Sequence, residues 1–577
     1  MNNNFRYLVA GVLIFLVILL QPVYLKWLGY DSEPMSIVEV EDVPDTRLMI
    51  DLPRPVVDKL ESPVIGGGDP ESFITIVTPL YTATISNRSG GSLDSYSLTQ
   101  LSDDNYKYKG SYDEYGVYNS DIPVSLILSN TNYCQPCLAV YDDQKDQYNF
   151  LNAPFRLVTY SGKSDTIFLG AGESTNLKYV LNDISGNVLV KKTLSFSADN
   201  FISQHDFTVY EDHFDYVNSL ELMWAGGLRP SEKRTDEDVQ YGSGIVSQAG
   251  EIEDVQTNDP NKSIGRTIYN GQTDWAAVRT KYFMSALLVD RPGSFATLSA
   301  ENVVFGDREQ TPLYHATIGF PLDVSSFSSR LYLGPLDVDH ISSIGANLDE
   351  TMNWGWTLIR PISKGILWVL KFMHNALHLN YGLVLLLFAF LIRLVTGPLT
   401  KKSFESTQKM QKIQPEIKKM QVKYKSDPQR LNRETMAMYK KYGVNPLGGC
   451  LPMLLQMPLL MALFIVFRST IEFRGQPFIL WITDLSKPDI VFSLPFSIPV
   501  YGDGVAILPL LMGVTLFLTM RMSSATMDKN QKPVMYFMNG FFILLFNSFP
   551  SGLNLYYTTY NLMSFLQQRG IKNKLGT

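Results

Sequence analysis

An arginine, Arg393, interrupts an otherwise apolar stretch, LVLLLFAFLIRLVTGPL, that runs from Leu383 to Leu399. Lys401 and Lys402 follow at once, and then a long basic segment. Apolar residues ending in clustered positive charge mark a membrane helix whose C-terminal end faces the cytoplasm. A guanidinium inside such a helix costs roughly 2.5–3.5 kcal/mol on the insertion scale. It must therefore reach the headgroups or face water or a polar partner. Lys401 lies about 12 Å of helix further on, which puts snorkelling only partly within reach. Arg393 therefore reads as a charge that lines a hydrophilic cavity within the membrane.

The net charge of −7 hides an asymmetry. Between Lys401 and Pro446 there are 12 Lys/Arg against 4 Asp/Glu, and the remainder carries 37 against 52. One basic cytoplasmic element thus sits beside a large acidic remainder, as the positive-inside bias predicts. The N-terminus carries Arg6 and then an apolar run from Leu8 to Leu20. The following QPVYLKWLGYDSE has no small-x-small cleavage site, so an uncleaved signal anchor (1–25) is expected rather than a removed signal peptide. Residues 26–70 read as an extended acidic linker, since Asp31 to Pro70 holds ten acidic residues and six prolines.

From 71 to 345 the texture changes to short alternating runs such as ITIVTPLYTATIS (Ile74–Ser86), VLVKKTLSFS (Val188–Ser197) and HDFTVY (His205–Tyr210). Many short strands punctuated by Gly, Asn, Asp and Ser predict an all-β sandwich outside the cytoplasm. Cys134 and Cys137 form a CxxC in it, with no second CxxC or zinc-spaced His pair. A short structural disulfide or two unpaired thiols are expected rather than a redox or metal site.

Residues 346–577 are expected to form the membrane part. Trp354, Leu358, Ile362, Ile366, Val369 and Met373 recur at three or four, as in a helix lying on the membrane surface. His374 and His378 stand four apart, and without a third ligand they read as interfacial polar residues. The basic segment 401–446 predicts a helical hairpin broken near Ser426–Asp427–Pro428. One seam is Met410, Ile413, Ile417, Met420 and Tyr424, and the other Leu431, Thr435, Met438 and Tyr442. Its lysines are mostly a solvated face, with ribosomal RNA or anionic lipid as possible contacts. Four further spans follow near Leu451–Phe467, Val505–Met520, Val534–Phe549 and Leu553–Leu566, each shorter than the ~20 residues that fit an unthinned bilayer. The last is unusually polar: Asn554, Thr558, Asn561 and Gln568 fall near one face, with Tyr557 beside them. Six spans in all place both termini inside and the β domain outside. No GxxxxGK[ST], HExxH or GxSxG motif appears in this half, so no enzyme activity, cofactor or metal is expected.

The C-terminal half resembles the bacterial YidC membrane protein insertases, relatives of the mitochondrial Oxa and chloroplast Alb insertases. The resemblance rests on FLIRLVTGPLTKKSF (Phe390–Phe404), NPLGGCLPMLLQMPLL (Asn445–Leu460), RGQPFILWITDLS (Arg474–Ser486) and FPSGLNLYY (Phe549–Tyr557). The outer domain is similar at Gly90–Gly91, WAAVRTKYF (Trp275–Phe283) and LYLGPLD (Leu331–Asp337). It implies the Gram-negative type, with a large periplasmic β-supersandwich like that of sugar mutarotases. By position the resemblance implies a substrate groove containing Arg393, Gln456, Tyr556 and Tyr557, to which the polar face of the last span adds Asn554 and Asn561. It also implies apolar substrate contacts at Met457, Leu460 and Met512. Ala389, on the face of Arg393, stands where some relatives carry threonine. The implied partners are nascent membrane proteins, the ribosome, membrane lipids and the Sec translocon (SecYEG, SecDF), but no DNA. The implied location is the inner membrane. The alternative is a small-molecule transporter or channel with a sensor domain. That predicts inverted repeats among the spans, and none is visible.

Overall fold

The computed structural model describes residues 70–574 except 103–104, 114–115, 129–133, 143–146, 160–164, 211–218, 258, 260–261, 305–309, 322–324, 426, 444–450, 499–500 and 524–531. The expected anchor at Leu8–Leu20, nearly all of the acidic linker, and Cys450 lie outside the described residues. Among these residues one compact unit comprises the chain up to Asn353 together with Ser469–Gly475. The other comprises Trp354–Arg468 and the chain from Gln476 onward.

The first unit is β-rich, as the alternating runs require. The run Ile74–Ser86 folds as a hairpin of strands Phe73–Val77 and Thr82–Ser86. The Thr78 hydroxyl closes it, bonding the Tyr81 main chain in both directions at 2.9 Å. VLVKKTLSFS is the strand Val188–Ser197, and HDFTVY lies mostly within Ile202–Val209, where every second side chain is buried. Among the described residues thirteen strands form one large sheet. Its path includes Ser174–Asn182, Val188–Ser197, Ile202–Val209, Ser326–Pro335, Phe283–Val304 and Gln310–Pro321 as successive neighbours. A four-stranded sheet carries Thr166–Phe168, Phe73–Val77, Thr82–Ser86 and Ser92–Ser97. The small sheet packs over the large one: Tyr81 stacks on Tyr96 at 4.7 Å and donates its hydroxyl to the Ser197 carbonyl at 3.1 Å. Gly91, with φ +100°, turns the chain where a Cβ would lie 2.6 Å from Leu194. Two short helices, α1 (Thr235–Tyr241) and α2 (Val338–Ile344), complete this unit. Cys134 and Cys137 are disulfide-bonded and fully buried beside Met223 and Ala225, as a structural role requires.

Under the small sheet lies an unusual core residue. Lys192 is fully buried; its ammonium donates to the Ser89 carbonyl at 3.2 Å and lies over the Phe207 ring. No carboxylate among the described residues pairs with it, and burial lowers its pKa to about 7. His205, held by Ser203 at 2.8 Å, is likewise pushed well below its ordinary value by burial and by Lys192. From about pH 7 to 10 the unfolded chain holds a proton on Lys192 that the folded unit does not. The Lys192 contribution to stability therefore rises with pH through that window, opposed near its top by buried tyrosines such as Tyr81 and Tyr179, whose burial raises their pKa. Lys192→Met should raise the melting temperature at pH 7 and flatten the rise, as read by thermal unfolding at several pH values. A variant that melts lower at every pH would refute this.

The other unit is helical. Helix α3 (Arg360–Leu377) precedes α4 (Tyr381–Lys423), whose N-terminus is capped by Asn380. Then come α5 (Pro428–Lys441), α6 (Leu451–Ser469), α7 (Ile507–Ser523), α8 (Lys532–Phe546) and α9 (Ser551–Lys574). The α3 face differs from expectation. Ile366 is buried, but with Ser363, Leu367 and Leu370. Leu358 precedes the helix and is exposed, and Trp368 and Phe372 stack on one another at the surface. The packed stripe is rotated because its neighbour α4, not periodicity alone, selects which side is covered. His374 is engaged locally, bonding the Leu379 carbonyl at 2.7 Å and stacking on Tyr381.

Helix α4 runs unbroken for 43 residues, about 65 Å, roughly twice a hydrocarbon core. The apolar stretch and the first basic helix are thus one rod. The break after it falls where the sequence places it: Asp427 caps α5 by accepting from Arg430 N at 3.0 Å, and Pro428 opens that helix. Ile413 and Ile417 are buried against Met410, Met420, Met438 and Tyr439, and Tyr442 reaches Glu416. Helix α9 packs against both α4 and α7, and α7 against α8. A Cβ on Gly513 would come 2.3 Å from Ile543, so glycine permits that last approach.

Candidate functional site

Helix α4 sorts its residues by face. Val384, Leu385, Phe388, Ala389, Arg393, Gly397 and Thr400 are turned inward, while Leu387, Phe390, Leu391, Leu394 and Val395 are exposed. Helix α9 does the same with the opposite polarity from a soluble protein. Tyr556, Tyr557, Tyr560, Asn561, Ser564 and Gln568 are buried, and Leu562 and Leu566 are exposed. Polar groups inside and leucines outside suit a helix whose surroundings are apolar.

The two inward faces meet at Arg393, which is 7% exposed. Its Nη1 donates to the Thr400 and Tyr560 hydroxyls, each at 3.4 Å, and its guanidinium lies 5.4 Å from the Tyr560 ring centre. Its Nε and Nη2 find no acceptor among the described residues, and no carboxylate pairs with it. An aromatic column leads away from it: Tyr560 stacks on Tyr556 at 6.0 Å, and Tyr556 meets Phe388 at 5.8 Å and Tyr557 at 5.0 Å. The buried Tyr556 hydroxyl and the carbonyl oxygens of the Gln567 and Gln568 side chains also lack partners among the described residues. Such atoms occur in the β-rich unit as well; what distinguishes this face is that two of them are N–H groups of a buried guanidinium.

The other expected residues fall in different places. Gln456 on α6 is half-buried, its side chain against the Tyr557 hydroxyl. Asn561 is buried, and its main-chain carbonyl accepts from the Thr519 hydroxyl of α7 at 3.1 Å. Asn554 is fully buried, and its amide donates to the Phe546 and Phe549 carbonyls, which binds the end of α8 to α9. Met457 is 50% exposed and Leu460 half-buried, whereas Met512 is only 2% exposed. Met457 and Met512 therefore do not share one open apolar patch here. Sequence reasoning missed Tyr560 and Thr400. Both were within reach of spacing: Tyr560 lies one turn beyond Tyr556, and Thr400 two turns beyond Arg393.

Residues 73–369 match the family model described as the YidC periplasmic domain, and 372–577 match the model of the 60Kd inner membrane protein. The membrane protein insertase YidC of Prosthecochloris aestuarii is 37% identical over 408 residues, 70% of this chain and 69% of that one. Its counterpart from Chlorobaculum parvum is 32% identical over 568 residues, 95% of this chain and 92% of that one. The chain belongs to the YidC family of membrane protein insertases. A solved YidC insertase with its first transmembrane domain resolved aligns over 88% of this chain and 94% of its own, at 17% identity and a TM-score of 0.33. The YidC relatives named here are called insertases and not enzymes. The β-rich unit followed by a helical region is the YidC arrangement, with the first unit corresponding to the family's periplasmic domain.

Proposed function

We propose that this membrane protein inserts nascent membrane proteins through a polar intramembrane face built on Arg393. The observation that carries the reading is the buried guanidinium with two N–H directions unmatched by any described residue and no counter-charge. Desolvating such a group is costly, so the arrangement is sustained when water or an entering chain supplies acceptors. A hydrophobic segment prefers lipid, but its polar flank must cross. The guanidinium, with Gln456, Tyr556, Tyr557, Tyr560 and Asn561 around it, would hold that flank and draw its acidic residues. Met457 and Leu460 on α6, together with exposed Phe537 on α8, offer an apolar exit. Methionine adapts to varied sequences there. Asn554 and Met512 support the bundle from within in this reading. The short apolar helices Ile507–Met522 and Met535–Phe546 would thin the bilayer and lower the remaining barrier.

The topology proposed is six spans, the anchor included, with both termini cytoplasmic and the β domain periplasmic. The disulfide Cys134–Cys137 suits that oxidising side. The ribosome, the Sec translocon and lipids are the proposed partners, and the insertion step needs no covalent catalysis. Site-specific crosslinking from position 457 to a ribosome-bound nascent membrane protein tests the reading. Adducts that grow in with the substrate's first apolar segment are expected, and their absence in an active insertase would refute it. The basic hairpin should also be required. Deleting Lys412–Tyr439 should abolish insertion of a substrate that does not use the Sec translocon, and full insertion would remove the hairpin from the mechanism.

A further inference from the structure

Between α6 and α7 the chain makes a two-stranded hairpin, Ile490–Ile498 paired with Gly502–Ala506. From Ile490 to Tyr501 the sequence IVFSLPFSIPVY has no charged residue. Phe492 and Phe496 are 62% and 61% exposed, and Ile490, Val491 and Ile498 are exposed with them. On the preceding loop Ile479 and Leu480 are exposed too. An isolated two-stranded hairpin is marginal in water, and an uncharged apolar one would aggregate.

Its base is fixed to helix ends. The Asp489 carboxylate accepts from the Ile507 and Leu508 main-chain N–H groups at 3.2 and 2.8 Å and from the Trp481 indole at 2.9 Å. The Asn547 amide donates to the Tyr501 and Gly504 carbonyls at 2.9 and 2.7 Å, and its oxygen accepts from Ala506 N at 3.0 Å. The second strand passes into α7 without an intervening residue, and α7 exposes Leu510, Leu511 and Val514. The hairpin's exposed apolar residues thus adjoin, along the chain, those that α7 would turn to lipid in the proposed membrane placement. Pro495 lacks the N–H that pairing with another strand needs, which disfavours strand addition. The unpaired outer edges exclude the hydrocarbon core, where nothing would satisfy them.

We propose that this hairpin lies in the headgroup and upper acyl region of the bilayer, with a lipid surface as its partner. The inference rests on the proposed membrane placement of α7. Full-length protein with Cys450→Ser, carrying Phe492→Cys or Phe496→Cys, would be labelled with an environment-sensitive fluorophore and reconstituted in vesicles. Val514→Cys serves as the reference. The expected result is blue-shifted emission, quenched more by lipids with a shallow nitroxide than a deep one, and little by aqueous iodide. Strong iodide quenching would show a water-facing hairpin and overturn the proposal. Protection from both quenchers would show a protein cover, a second copy or another part of this chain, and would also overturn it. If Val514 is quenched by lipid and the hairpin is not, the hairpin inference fails alone. If neither is reached by lipid, the membrane placement of α7 falls and takes the inference with it.

Discussion

Arg393→Lys is expected to keep most insertion activity, whereas Arg393→Ala should cripple insertion of substrates whose translocated segment is acidic. The reason lies in what the guanidinium touches. Its two hydrogen bonds, to Thr400 and Tyr560, are long at 3.4 Å, and no carboxylate grips it in a fork. Positive potential, which an ammonium also supplies, is then the useful property. Removing it forfeits an attraction that at an effective dielectric of about 20 amounts to ~4 kcal/mol for a charge pair ~4 Å apart. Substrates with neutral or short segments should be spared. The measurement is insertion of matched substrates differing only in the charge of that segment. Equal failure of Lys and Ala on every substrate would mean that the arginine is structural. Arg393→Cys in a background of Cys450→Ser with Cys134 and Cys137 replaced gives a second readout. An impermeant thiol reagent should label it from the cytoplasmic side.

Arg474→Ala is expected to destabilise the β-rich unit by about 3–5 kcal/mol, the usual cost of breaking a buried ion pair from one side. Arg474 Nε donates to the Glu232 carboxylate at 2.6 Å, and both side chains are nearly inaccessible. Its Nη1 and Nη2 donate to the Lys109 and Gly110 carbonyls at 2.7 and 2.9 Å, and the guanidinium lies against the Tyr282 and Phe283 rings. The neighbouring Ile471 and Phe473 are buried in the same unit. Loss of the arginine leaves the carboxylate without this partner and two carbonyls without these donors. Arg474→Lys should recover only part, because an ammonium cannot reproduce the fork. Thermal unfolding of the full chain, followed by protease resistance of the β-rich unit, should show its transition lowered by about 10 °C. An unchanged transition in Arg474→Ala would contradict the clamp.

What the sequence could disclose was periodic or local. Strand alternation in Ile202–Val209 and the Asp427–Pro428 break depend on residues within a few turns of one another, and each is found as expected. The exposed hairpin after Asp489 escaped because its uncharged run, IVFSLPFSIPVY, has no periodicity that separates a strand from a stretch of loop. Asn554 was legible as a polar residue in an apolar helix. Whether it lined a cavity or tied two helices together depended on where the end of α8 came to rest.

The sequence by itself determined an apolar helix with one charge in it, a polar face on the last helix, an alternating β region and a family motif set, because hydrophobic period and residue type are properties of neighbours along the chain. Only the tertiary structure decided what each polar group meets. Tyr560 comes to Arg393 across 167 residues, and Arg474 comes to Glu232 across 242. Met512 is enclosed while Met457 stays open. Such pairings are fixed by the packing of whole elements, whose small net free energy is a sum over many distant contacts that no local window contains.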